Sequence, residues 1–208
     1  MIKIIRPHES KYYDQKLIVN TTSHGNPQER TLSPFYLKHT KHPNVNIENY
    51  WQYSKFYPCH GELKYKDTYI SITPKDMSEE TLQEVEITDS FKEWSKTGMM
   101  QTWANRYPMG KDTKPICSII ERLGHYYALN YIQARKIIYA PAYANAVRKT
   151  PMYALLQEKH NNQQDIILID YDATDISRGW NYVLHDPYHK MGHATVIAAM
   201  LLGEYNPL

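Results

Sequence analysis

The longest apolar run in the chain is ATVIAAMLL, nine residues at 194–202. A helix that crosses a bilayer needs about 20 such residues, so this run reads as a helix buried inside a globular core. DIILIDYD at 165–172 is the clearest strand, four aliphatic residues ending in acids. A core helix and a core strand must be covered by other elements, and 208 residues are enough to build that cover. The expected organisation is a single domain over 1–208, carrying an insertion at 59–90 where charge is dense and no helical stripe is visible.

Composition narrows the class. The hydrophobic fraction of 42% is that of a globular protein, not a disordered one. With 24 basic and 22 acidic residues the net charge is only +2, which gives no global pull toward nucleic acid and leaves a local basic patch open. Nineteen tyrosines against three phenylalanines suit half-buried surfaces and ligand pockets, or reflect simple compositional bias. Cys59 and Cys117 form no CxxC pair and read as free thiols. MIKIIRPHES has no apolar signal region. The expectation is a cytoplasmic protein without a membrane partner.

Along the chain, IKII (2–5) and LIV (17–19) read as short strands, and TTSHGNPQERTLSPF as loop. A helix is expected from Ile47 to Tyr57, stopped by Pro58. FKEWSKTGMMQTWANRY (91–107) reads as helical, and RYPMGKDTKP as a tight loop. From Ile116 to Gln157 the pattern again reads as helical, with Pro141 as a kink or a break and Thr150-Pro151 as a helix start. Residues 173–191 read as a long loop before the closing helix. The segment at 59–90 reads as a hairpin plus loop.

Four groups of residues carry candidate chemistry. In NVNIENYWQYSKFYP (44–58), the offsets of three, four and seven put Glu48, Trp51, Gln52 and Lys55 on one helical face, which is a polar rim or a site. A carboxylate against aromatic walls suits acid–base work, and the lysine suits phosphate binding or nucleophilic attack at a sugar C1. Arg106, Gly110 and Lys111 make a loop suited to phosphate or a solvated basic turn. Asp170 and Asp172 end the strand, with Asp175 beyond them, and read as ligand-binding acids or turn starters. His185, His189 and His193 fall at intervals of four, but Pro187 interrupts any common helix. They read as loop and helix-cap residues, with one of them in the pocket.

Taken in order, these segments resemble the NADAR family of N-glycosidases. SPFYL (33–37), IENYWQYSKF (47–56), MGKDTKP (109–115), ARKIIYAPAYANAVRKTPMYALL (134–156) and MGHATVIAAMLL (191–202) carry the likeness. They cover about a quarter of the 208 residues. The chain differs from the family pattern in reading Gly179-Trp180 where Trp-Gly is usual, and Tyr188-His189-Lys190 before the last helix. The resemblance implies a mostly α, α+β fold: a helical domain with a small β-sheet. It implies catalytic roles for Glu48, Lys55 and Asp172. Substrate contacts are implied for Trp51, Gln52, Arg106, Gly110, Lys111, Asp170, Trp180 and His193. It calls for no metal and no cofactor. The implied substrate is an ADP-ribosylated base in nucleic acid, or alternatively a small ribosyl phosphate such as a ribosylamino-pyrimidine. A non-catalytic module that binds ADP-ribose or nucleic acid is the third reading.

Overall fold

The structure, a computed structural model, describes residues 1–13, 16–74 and 79–207. The elements run β1 (Ile2–Ile5), β2 (Leu17–Asn20), α1 (Ile47–Gln52), β3 (Lys55–Phe56), β4 (Lys64–Ile72), β5 (Glu80–Glu86) and α2 (Asp89–Met99). They continue with β6 (Cys117–Arg122), β7 (His125–Leu129), α3 (Tyr131–Ala134), α4 (Ala140–Val147), α5 (Pro151–Asn161), β8 (Ile166–Ile169), α6 (Trp180–His185) and α7 (His193–Leu201). The class is α+β.

Strands β1, β8 and β2 form a parallel sheet with β8 in the centre. All four residues of β8 are buried, as a central parallel strand covered on both faces must be. One face, with Ile2, Ile4, Val19, Ile166 and Leu168, joins the main core with α4, α5 and α7. The other face packs Ile5, Ile167 and Ile169 against Tyr13 and Ile18. Helix α7 is the expected core helix: from Ala194 to Leu201 every residue is buried.

The second sheet is antiparallel, in the order β3-β6-β7-β5-β4. Leu82, Tyr127 and Leu129 pack toward α3 and Ile138, while Phe56, Val85 and Ile119 pack toward Phe91 of α2. Tyr50 and Trp51 of α1 touch both the main core and the first of these clusters. The short helix α1 therefore sits where the two sheets meet.

Several expectations are corrected. The described residues form two sheets in place of one small one. The stretch 117–129 is a hairpin, not helix. Burial alternates from Tyr126 to Leu129, and Leu123 (φ 53°) with Gly124 (φ 82°) makes the two-residue turn that suits paired strands. The hairpin expected in 59–90 is present as β4 and β5, with β5 pairing on both sides and Leu82 fully buried. Residues 75–78 of that segment lie outside the described residues. Helix α1 ends at Gln52, so Lys55 stands on a strand. Helix α2 ends at Met99, and 101–107 is a loop. The presumed loop 173–191 contains α6. Between α3 and α4 the break is a π turn over Arg135–Tyr139, and Pro141 falls in the first turn of α4. The wider turn leaves Arg135, Lys136, Ile138 and Tyr139 all buried. No helix among the described residues is long and apolar enough to cross a membrane.

Candidate active site

Helix α1 is set by its ends. Asn46 caps it, accepting from the Asn49 N–H at 2.7 Å, and the N–H of Glu48 donates to the Pro34 carbonyl at 3.0 Å. That second bond ties the SPF segment to the helix. It also fixes Glu48 in the first turn, only 6% exposed. One turn on, Gln52 donates from Nε2 to Glu48 Oε1 at 2.8 Å. The chain then turns at Tyr53 and Ser54, where the Ser54 hydroxyl donates to the Trp51 carbonyl at 2.8 Å. Strand β3 follows, its Lys55 paired with Ser118. From there Lys55 Nζ donates to Gln52 Oε1 at 2.7 Å and lies 4.8 Å from the centre of the Trp51 ring.

Glu48 and Lys55 are thus joined through one amide, each bonded to a different end of it. Burial raises the Glu48 pKa, while the Gln52 bond and the charges of Arg106, Lys55 and His193 pull it down. Burial likewise pushes the Lys55 amine down to about 8, against the attraction of Glu48 and with help from the cations Arg106 and Lys190. The phenol of Tyr139 lies in the same surroundings. Its pKa is raised by burial, with Glu48 and Asp170 adding to the effect, and its ring centre is 5.3 Å from that of Trp51.

Arg106 reaches this cluster because its loop is pinned to α1. The fully buried amide of Asn49 donates to the carbonyls of Gln101 (3.1 Å) and Trp103 (3.0 Å) and accepts from the Asn105 N–H (2.8 Å). Tyr53 adds a bond from its hydroxyl to Gln101 Oε1 at 3.0 Å. Three residues past Trp103, Arg106 Nη2 pairs with Asp172 Oδ2 at 2.7 Å, with the arginine 36% and the aspartate 24% exposed. This ion pair is the solvent-facing side of the cluster.

Asp170 has another role. It follows β8 directly, is 3% exposed, and accepts N–H bonds from Ala194 at 3.0 Å and Asp172 at 3.2 Å. His193 Nδ1 lies 3.2 Å from the same carboxylate, and its Nε2 lies 2.7 Å from the Thr21 carbonyl. Asp170 anchors the start of α7 and is not open to a ligand. Gly192 permits this, since a Cβ there would stand 2.4 Å from Asp170 Oδ2.

The structure therefore brings together Glu48, Trp51, Gln52, Lys55, Arg106 and Asp172, with Asp170 and His193 behind them. It does not bring in three of the expected contacts. Trp180 is 4% exposed and packs on Tyr205 at 4.6 Å, so its ring is core and not a stacking face. Gly110 and Lys111 lie on an exposed turn beyond Arg106, where Gly110 takes φ 89°. Asp175 caps a short turn by accepting from the Ser177 N–H at 2.9 Å. Among the described residues no group of three or more His, Cys, Asp or Glu side chains is placed to hold a metal ion. Sequence reasoning missed Asn49, Tyr139 and Gly192. Asn49 sits in the quoted motif beside Glu48, and a polar residue on the inward face of a short helix was the available signal.

Compared with family models, curated proteins and solved structures, the chain finds no match in any of the three.

Proposed function

We propose that the chain is an N-glycosidase that hydrolyses a ribosyl C1–N bond, with the ADP-ribose group of a modified nucleobase in nucleic acid as its substrate. The observation that carries this reading is the buried Glu48 joined through Gln52 to Lys55, with the Arg106–Asp172 pair beside it. Breaking a C1–N bond builds positive charge on the ribose, which nearby carboxylates stabilise, and leaves a base that needs a proton.

The roles follow from the environments. Glu48, held toward its protonated form by burial, gives its proton to the departing nitrogen. Lys55, with its amine brought down to about 8, supplies free amine near neutral pH. Its nitrogen bonds to C1 as the C1–N bond to the base breaks. Opening of the ribose ring then gives a protonated Schiff base, and water releases the sugar and restores the amine. Asp172, steered by Arg106, faces the developing positive charge. Lys190, whose charge acts on Lys55, is the cation available to a diphosphate.

The test is a mass-spectrometric hydrolysis screen. The substrates are oligonucleotides ADP-ribosylated on guanine, free ADP-ribosyl compounds and a ribosylamino-pyrimidine phosphate. The expected result is restored guanine in the oligonucleotide. Turnover of the small pyrimidine alone would replace the nucleic-acid assignment with the metabolic one. Tight ADP-ribose binding with no turnover of any substrate would end the enzymatic reading.

A further inference from the structure

The loop that delivers Arg106 contains the most exposed tryptophan in the chain. Of the four tryptophans, Trp103 is 83% exposed, while Trp51 and Trp94 are partly buried and Trp180 is in the core. Exposed apolar side chains scattered singly need no explanation, but Trp103 is not isolated. Met100 (53% exposed) and Tyr107 (41%) stand on the same loop, and Arg106 lies 5.7 Å from the Tyr107 ring centre. The backbone beneath Trp103 is also held more firmly than a surface loop requires. The buried Asn49 amide spends three hydrogen bonds on Gln101, Trp103 and Asn105, and Tyr53 adds its own to Gln101. The indole stands in water on a backbone tied down by these bonds. Local charge is also biased: from Lys96 to Lys114 there are four basic residues (Lys96, Arg106, Lys111, Lys114) and one acid, Asp112.

We infer that Trp103 is a stacking platform for an unpaired nucleobase next to the one being processed, and that the basic residues around it follow the phosphates of the same single strand. The inference rests on the proposed C1–N glycosidase reading for its choice of a nucleobase over another flat ring. A fixed aromatic ring loses little freedom on stacking, and each stacked base is worth about 1–3 kcal/mol, or roughly 5- to 150-fold in affinity. The platform and the site share one loop, since Arg106, three residues on, pairs with Asp172 at 2.7 Å.

The test is binding, not turnover. A fluorescently labelled, unmodified single-stranded oligonucleotide is titrated with the wild-type protein, Trp103→Ala and Trp103→Tyr at low and moderate salt. The expected result is a loss of about tenfold or more for Trp103→Ala and substantial recovery with Trp103→Tyr. Affinity should fall with salt, and wild-type tryptophan emission should be quenched by the strand. Equal affinity of wild type and Trp103→Ala would overturn the inference, as would absence of strand binding at low salt. Emission that shifts with protein concentration alone would also overturn it, by giving the indole to self-association. Because the probe carries no ADP-ribose, failure of the hydrolysis screen and failure of this binding test are separate results.

Discussion

Among the described residues, two places bury a lysine together with a glutamate, and they are built in opposite ways. Lys136 of the π turn meets Glu80 of β5 directly, with side chains 3% and 14% exposed. Gln133 closes the arrangement, donating to Glu80 Oε2 at 3.3 Å and to the Thr81 carbonyl at 3.1 Å. The charges neutralise each other and fasten the second sheet to the helix that follows it. At α1 and β3, Glu48 and Lys55 are instead separated by the Gln52 amide. Neither charge is cancelled at contact, and both pKa values are displaced toward the neutral forms. Closing a buried pair makes a fastener. Holding the two ions apart leaves an acid and an amine that are costly to the fold, the state that the proposed chemistry requires.

The largest expected effect falls on the closed pair. Lys136→Ala leaves Glu80 buried without that cation and should lower stability by about 3–5 kcal/mol in urea unfolding. At the open pair the sign reverses. Lys55→Met should abolish turnover while raising stability at neutral pH by about 1–3 kcal/mol, because it removes an amine that the fold disfavours as a cation. If both substitutions destabilise equally, the distinction between the two sites fails.

Next comes the bridging amide. Gln52→Leu removes a donor to Glu48 and an acceptor from Lys55, and should cost about 1–3 kcal/mol of stability and reduce turnover more than tenfold. Full activity in that variant would show that the bridge does not set the chemistry. The pH profile is the finest test. The folded chain holds Lys55 at about 8 against an ordinary 10.5, so between these values the unfolded chain binds more protons and stability should rise with pH. Below about 8 that contribution is flat. Glu48 acts in the other direction, since its folded pKa lies above the ordinary 4.5. Its contribution should fall as pH climbs from 4.5 through the raised value. Turnover should be bell-shaped, rising as Lys55 loses its proton and falling as Glu48 loses its own. The rise in stability above pH 8 should vanish in Lys55→Met.

Much of this arrangement is readable in the sequence, in part for the wrong reason. Apolar continuity exposes β8 and α7, because both are buried on all sides and need no tertiary partner to be recognised. Helical spacing puts Glu48, Trp51 and Gln52 on one face, as found. Lys55 fits the same spacing but stands on β3, and reaches Gln52 only because the turn at Tyr53-Ser54 folds it back. The hairpin 117–129 is hidden, since Ile119, Ile120 and the tyrosines at 126 and 127 suit either period, and the positive φ at Leu123 has no sequence signature. Trp180 misleads because an aromatic beside a glycine looks the same whether it lines a pocket or packs on Tyr205. The clamp made by Asn49 depends on a loop 52 to 56 residues away, a distance over which local patterns carry no information.

The central claim is that Glu48 is the acid of a hydrolytic site. The most direct measurement is single-turnover release of ADP-ribose from a guanine-modified oligonucleotide by wild type and Glu48→Gln, with binding of the same substrate measured in parallel. The account predicts a loss of about 10²–10⁴-fold in rate, with affinity unchanged and the variant folded. A Glu48→Gln protein that turns over at the wild-type rate would contradict it.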